Sequence, residues 1–140
     1  MELDRLERWL RDHVDGFNGP LVAERFTGGQ SNPTYFLDFG PRRFVLRKKP
    51  PGKLLPSAHA VDREFRVQSA LAGSGVPVAP MILYHDGPDI VGTPFYLMER
   101  VEGRIFAESS LKEVAHPDRR VMYSAAAQVL ASIHSVDIDE

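Results

Sequence analysis

The chain has 140 residues, 43% of them hydrophobic and 26% charged, with a formal charge of -2. This length suits about one domain with a true core. The near-neutral balance excludes the chain-wide basic surface that a nucleic-acid partner would require. The absence of cysteine excludes disulfides, thiolate metal sites and thiol nucleophiles. The charged start Met1-Glu2-Leu3-Asp4-Arg5 lacks an apolar signal core, and no run approaches the ~20 apolar residues of a membrane span. A cytoplasmic protein with no membrane partner is therefore expected.

In chain order, Leu3, Leu6, Trp9, Leu10 and Val14 recur at helical spacing and predict an amphipathic helix over residues 3–14. Residues 16–20 end it. A strand over about 21–27 leads into Gly28-Gly29, and a second strand opens after Pro33, where a missing N–H does least damage. The segment 37–41 turns the chain back into a third strand bearing Arg42, Arg43, Arg47, Lys48 and Lys49. Connections this short predict an antiparallel meander.

Alternation along the third strand places Arg43, Val45, Arg47 and Lys49 on one face, and Phe44, Leu46 and Lys48 on the other, which the first helix would cover. A proline-stiffened loop, 50–56, hands over to a helix capped by Ser57 and running to about Ala72. On it Val61, Glu64, Phe65, Gln68 and Leu71 share a side, so a carboxylate sits in a mostly apolar stripe and needs a partner. Gly73-Ser74-Gly75 closes this helix. Two short strands follow, at about 81–84 and 94–100, and after Pro117 residues Met122, Ala126, Val129 and Ile133 predict a last helix.

The glycines and serine of 28–31 let a backbone approach an anion closely, with the cations of the third strand near enough to share its charge. The chemistry expected of this constellation is a phosphate grip. Plainer readings exist for its parts: Gly28-Gly29 as a bare hairpin turn, and the Arg47-Lys48-Lys49 run as a solvated edge with about one functional cation of the three. His59 and His134 lack an evident carboxylate partner and read as capping or packing residues. Asp137, Asp139 and Glu140 read as solvated.

The set Phe26-Thr27-Gly28-Gly29-Gln30-Ser31-Asn32, Val45-Leu46-Arg47-Lys48-Lys49-Pro50-Pro51-Gly52, Asp62-Arg63-Glu64-Phe65 and Gly92-Thr93-Pro94-Phe95-Tyr96-Leu97-Met98-Glu99 resembles the aminoglycoside phosphotransferase and choline kinase branch of the kinase-like fold. It is most similar to the phosphotransferase domains found alone in bacteria and fused to acyl-CoA dehydrogenases in animals. The resemblance implies an α+β amino-terminal kinase lobe over 1–102, with a five-stranded antiparallel sheet, an inserted helix and an N-terminal helix. A linker and the first helix of a second, truncated lobe would occupy 103–140.

The resemblance further implies ATP as cofactor, Mg2+ held by the missing lobe, and a small-molecule hydroxyl acceptor as partner, such as a hydroxyacyl-CoA, an aminoglycoside or choline. It sets Gly28, Gly29, Gln30, Ser31 and Asn32 over the phosphates and Val45 against adenine. Arg47 falls at the phosphates in place of the usual lysine, with Lys48 or Lys49 as alternative ligands, and Glu64 pairs with that cation. Met98 lies at the back of the base pocket, with the Glu99 carbonyl and the Val101 backbone at its edge, and Leu97 or Phe95 as further apolar walls. In the family, the H-x-D loop and the later D-x-D turn that supply the catalytic and metal-binding aspartates lie in the second, mostly helical lobe, so the resemblance implies no catalytic or metal-binding residue within these 140. The intact protein is expected to be a kinase acting on an alcohol group, and a non-catalytic nucleotide-binding or protein-interaction module is the alternative.

Overall fold

A computed structural model describes residues 2–17, 19–27, 31–52, 55, 58–106 and 108–137. Its elements are α1 (Leu3–His13), β1 (Val22–Arg25), β2 (Thr34–Asp38), β3 (Arg43–Lys48), α2 (Val61–Leu71), β4 (Met81–His85), β5 (Phe95–Glu99) and α3 (His116–His134). The strands form one antiparallel sheet in the order β1-β2-β3-β5-β4, with β3 at its centre. This is the expected α+β arrangement: five strands, an inserted helix and a helix at each end. The Ser57 cap lies outside the described residues, and α2 begins four residues after that position.

Contacts group the chain into two units, residues 1–69 with 79–100, and residues 70–78 with 101–140. In the first, β2 and β3 are joined by a tight turn. Phe39 N donates to Arg42 O at 3.1 Å, Gly40 N donates to Asp38 Oδ1 at 3.0 Å, and Gly40 sits at φ 80°, a conformation glycine adopts without steric cost. That turn sets the register Thr34↔Arg47, Phe36↔Val45 and Asp38↔Arg43.

The core lies on the face of the sheet that α1 covers. Leu6 and Leu10, one turn apart, are fully buried in a cluster with Leu37, Phe39, Phe44, Leu46, Phe95 and Leu97. Each fully buried side chain of this size stabilises the fold by about 1.5–3 kcal/mol. The Trp9 indole stacks on His13 at 4.1 Å and meets Phe95 edge-on at 5.5 Å, closing one side of the cluster. Helix α2 packs on the opposite face through Phe65, whose ring lies 5.8 Å from Tyr84 and 6.2 Å from Tyr96.

In the second unit, α3 opens with Pro117 in its first turn, where the missing N–H costs nothing. The preceding loop is fastened to it: Arg119 donates to the carbonyls of Val114 and Lys112, and the Tyr123 hydroxyl donates to Ser109 O at 2.6 Å. Val121, Tyr123, Leu130 and Ile133 on this helix are exposed.

Candidate functional site

The α2 face of the sheet is built from two rows of side chains. Thr34, Arg47 and Tyr96 stand opposite one another across β2, β3 and β5; one step along, Phe36, Val45 and Met98 do the same. The first row is polar and the second apolar. The Arg100 guanidinium lies 4.3 Å above the Phe36 ring and covers it.

Arg47 and Glu64 meet on this face. Nε of Arg47 is 2.8 Å from Oε2 of Glu64, and the two side chains are 32% and 33% exposed. The Nε–H has no well-aligned acceptor among the described residues, so the contact is charge attraction more than a directed hydrogen bond. Directed bonds reach Glu64 from elsewhere. The Tyr96 hydroxyl donates to Oε2 at 3.0 Å, and the Asn32 side-chain amide donates to Oε1 at 3.0 Å.

Asn32 Oδ1 in turn lies 2.9 Å from His59 Nδ1. An ionised carboxylate only accepts, so the amide nitrogen of Asn32 must face Glu64 and its oxygen must face the imidazole. That assigns the proton to Nδ1 of His59. The Tyr96 phenol is pushed up to about 12, first by burial and then by the charge and hydrogen bond of Glu64, both of which penalise a phenolate.

Beside this cluster opens a cavity of about 590 Å³, with Arg47, Glu64, Gln68, Tyr96 and Met98 among its walls. A cation, a carboxylate that holds it, and apolar surface from Met98 and the Tyr96 ring suit a ligand with a charged end and a flat apolar part.

The positions singled out in the sequence divide several ways. Arg47, Glu64 and Met98 line this cavity together. Gly28, Gly29 and Gln30 lie outside the described residues; Ser31 is exposed just beyond them. Asn32 is 4% exposed, with both ends of its amide bonded within the protein. Val45 is buried in the apolar row and is not part of the cavity wall. The Glu99 side chain is directed to Arg42, 3.1 Å away, and its backbone N–H donates to Pro80 O at 2.9 Å. Val101 belongs to the second unit and is exposed.

Two expectations are corrected. Phe95 and Leu97 do not wall this cavity, because alternation along β5 turns both into the α1 core, where they are fully buried. Tyr96 and Met98 take that place. Lys48 is not an alternative to Arg47: it projects to the opposite face, its ammonium donates to Val91 O, and burial draws its pKa down. Tyr96 was missed as a site residue although strand alternation joins it to Met98. The Asn32–His59 contact left no short-range signal, since 27 residues separate the partners. His59, which seemed partnerless for want of a carboxylate, is bonded to an amide instead.

The α+β arrangement, with a half-buried Arg–Glu pair between the central strand and the inserted helix, defines a kinase-like fold. Known proteins agree. The model of the phosphotransferase enzyme family APH matches residues 22–140. Acyl-CoA dehydrogenase family member 11 of Mus musculus is 46% identical over 141 residues, covering 98% of this chain and 18% of that protein. Family member 10 of the same species is 47% identical over 136 residues, 96% of this chain and 13% of that protein. A crystal structure from Ralstonia eutropha JMP134, assigned as an aminoglycoside phosphotransferase, superposes with a TM-score of 0.80 at 40% identity, over 97% of this chain and 39% of that one. The chain belongs to the APH phosphotransferase family and spans less than a fifth of the length of these curated relatives.

Kinases of this family use ATP and Mg2+. The cavity volume and the Arg47 charge fit the nucleotide. Among the described residues no three carboxylate or imidazole groups come together to hold the metal ion.

Proposed function

We propose that this chain is the nucleotide-binding lobe of an ATP-dependent phosphotransferase that delivers the γ-phosphate to the hydroxyl of a small molecule. The observation that carries this reading is the Arg47–Glu64 pair at the wall of an open cavity. A purely structural ion pair has no need of an adjoining cavity. A guanidinium that must meet phosphate oxygens has to be reachable from one side and held from the other.

On this reading Arg47 binds phosphate through the N–H groups that Glu64 leaves open, and Glu64 keeps the guanidinium from folding back onto the sheet. Met98 and the Tyr96 ring supply apolar surface toward the base, and the Glu99 carbonyl and the Val101 backbone its edge contacts. Bound ATP supplies the phosphoryl group. Among the described residues that line the cavity there is no aspartate to accept the proton or hold the metal ion, so on this reading they grip and orient the nucleotide. The relatives named for acyl-CoA dehydrogenases support a hydroxylated acyl-CoA as the acceptor class.

A thermal-shift titration tests the reading. ATP with Mg2+ at about 100 times its Kd should stabilise the chain by about 2.7 kcal/mol and raise its Tm. The Arg47→Ala variant should lose most of that rise. A Tm that stays flat through millimolar ATP would sink the proposal.

A further inference from the structure

We infer that Asn32 and His59 are positioning residues for Arg47: the imidazole fixes the Asn32 amide, the amide fixes Glu64, and Glu64 fixes the guanidinium. The inference rests on the nucleotide-binding reading for its functional consequence, but the relay itself stands on geometry.

The bonds to Glu64 are unequal in kind. Asn32 and Tyr96 reach it through directed hydrogen bonds at 3.0 Å each, whereas the Arg47 Nε–H is poorly aligned. The carboxylate is thus placed by Asn32 and Tyr96, and the arginine follows its charge. Asn32 suits this task because one amide offers a donor to the carboxylate and an acceptor to the Nδ1–H of His59. Asn32 is buried with its amide turned to Glu64 and His59, although it follows closely on Gly28 and Gly29 in sequence.

His59 is held at φ 58°, in the left-handed region that is uncommon outside glycine and in which asparagine, aspartate and histidine are the commonest other residues. Strain of this kind persists where surrounding contacts over-determine it. The next turn of chain is the start of α2, with Val61 N donating to His59 O and Glu64 N to Ala60 O. The residue that orients Asn32 therefore also launches the helix that carries Glu64.

The test combines nitrogen-edited NMR on the labelled chain with calorimetric titration of ATP and Mg2+. In the wild type, His59 should show the Nδ1–H tautomer, and the Arg47 Nε–H, buried beside Glu64, should exchange slowly because solvent does not reach it. His59→Gly keeps the backbone conformation and removes the imidazole. It should speed Arg47 Nε–H exchange and weaken ATP about tenfold, the loss expected when a hydrogen bond that orients a charged group is removed. His59→Asn retains a side-chain N–H donor and tolerates the left-handed backbone, so it should restore both quantities.

An Nε2–H tautomer in the wild type overturns the inference, and this measurement needs no variant to fold. So does a folded His59→Gly chain in which Arg47 exchange is unchanged, or a folded His59→Asn chain that rescues neither quantity. If the wild-type chain fails to bind ATP at all, the proposed function falls, while the tautomer and exchange data still decide the relay.

Discussion

The two faces of one sheet handle adjacent cations of β3 in opposite ways. On the α1 face, Lys48 ends a row of buried apolar side chains, and its ammonium is spent on the Val91 carbonyl. On the α2 face, Arg47 is one-third exposed, balanced by Glu64 and open to a cavity. One face is sealed and carries stability; the other is polar, networked and reachable. A charge is available for chemistry according to what surrounds its head group, and neighbours in sequence share almost none of those surroundings.

The contrast can be broken first on the sealed side. Phe44→Ala should cost about 3–5 kcal/mol in urea denaturation, because a fully buried ring is replaced by a cavity. ATP affinity per folded molecule should be unchanged. On the open side, Glu64→Ala should cost about 1–2 kcal/mol of stability and weaken ATP about 10–100-fold, since Asn32, Tyr96 and Arg47 all lose their common acceptor. Equal stability losses for the two variants would erase the distinction between the faces.

Smaller effects separate the faces by pH. Tyr96→Phe should cost about 1 kcal/mol by removing one hydrogen bond to Glu64. Because the Tyr96 phenol is raised from 10.0 to about 12 in the folded chain, the native state keeps a proton that the unfolded state has lost. Its contribution is complete below pH 10 and disappears as pH climbs toward about 12. The variant should flatten that alkaline decline; Tyr84, whose pKa burial and Asp86 raise in the same direction, leaves a remainder.

Lys48→Met should change stability least, by under about 1 kcal/mol, since the desolvation cost of the ammonium offsets the bond it makes. Its sign with pH is opposite. The lowered pKa makes the folded chain shed this proton before the unfolded one does, so Lys48 adds a rise in stability as pH approaches 10.5 from below. The methionine variant should lack that rise.

Much of the fold was legible because its signals are local. Leu3, Leu6, Leu10 and Val14 mark α1, the β2–β3 connection is too short for a crossover, and Gly73, found at φ 82°, marks the end of α2. That Glu64 needs a partner was legible too, because it sits in the mostly apolar stripe of α2, while its pairing with Arg47 was what the family resemblance implied. Tyr96 is legible from β5, where alternation groups it with Met98 and turns Phe95 and Leu97 to the buried face; apolar character alone does not separate the two sets. The Asn32–His59 bond joins two irregular segments, where no period operates. Gly28, Gly29 and Gln30 lie outside the described residues, so the phosphate role expected of them belongs to the sequence reading.

The Gly40 turn between β2 and β3 decides more than where the chain reverses. Side chains change faces with every residue, so one residue added to or deleted from that hairpin would present lysine at the cavity and drive arginine into the hydrocarbon interior. A four-residue reversal therefore works as a selector of cation type, and its length is a simple handle for re-engineering the grip.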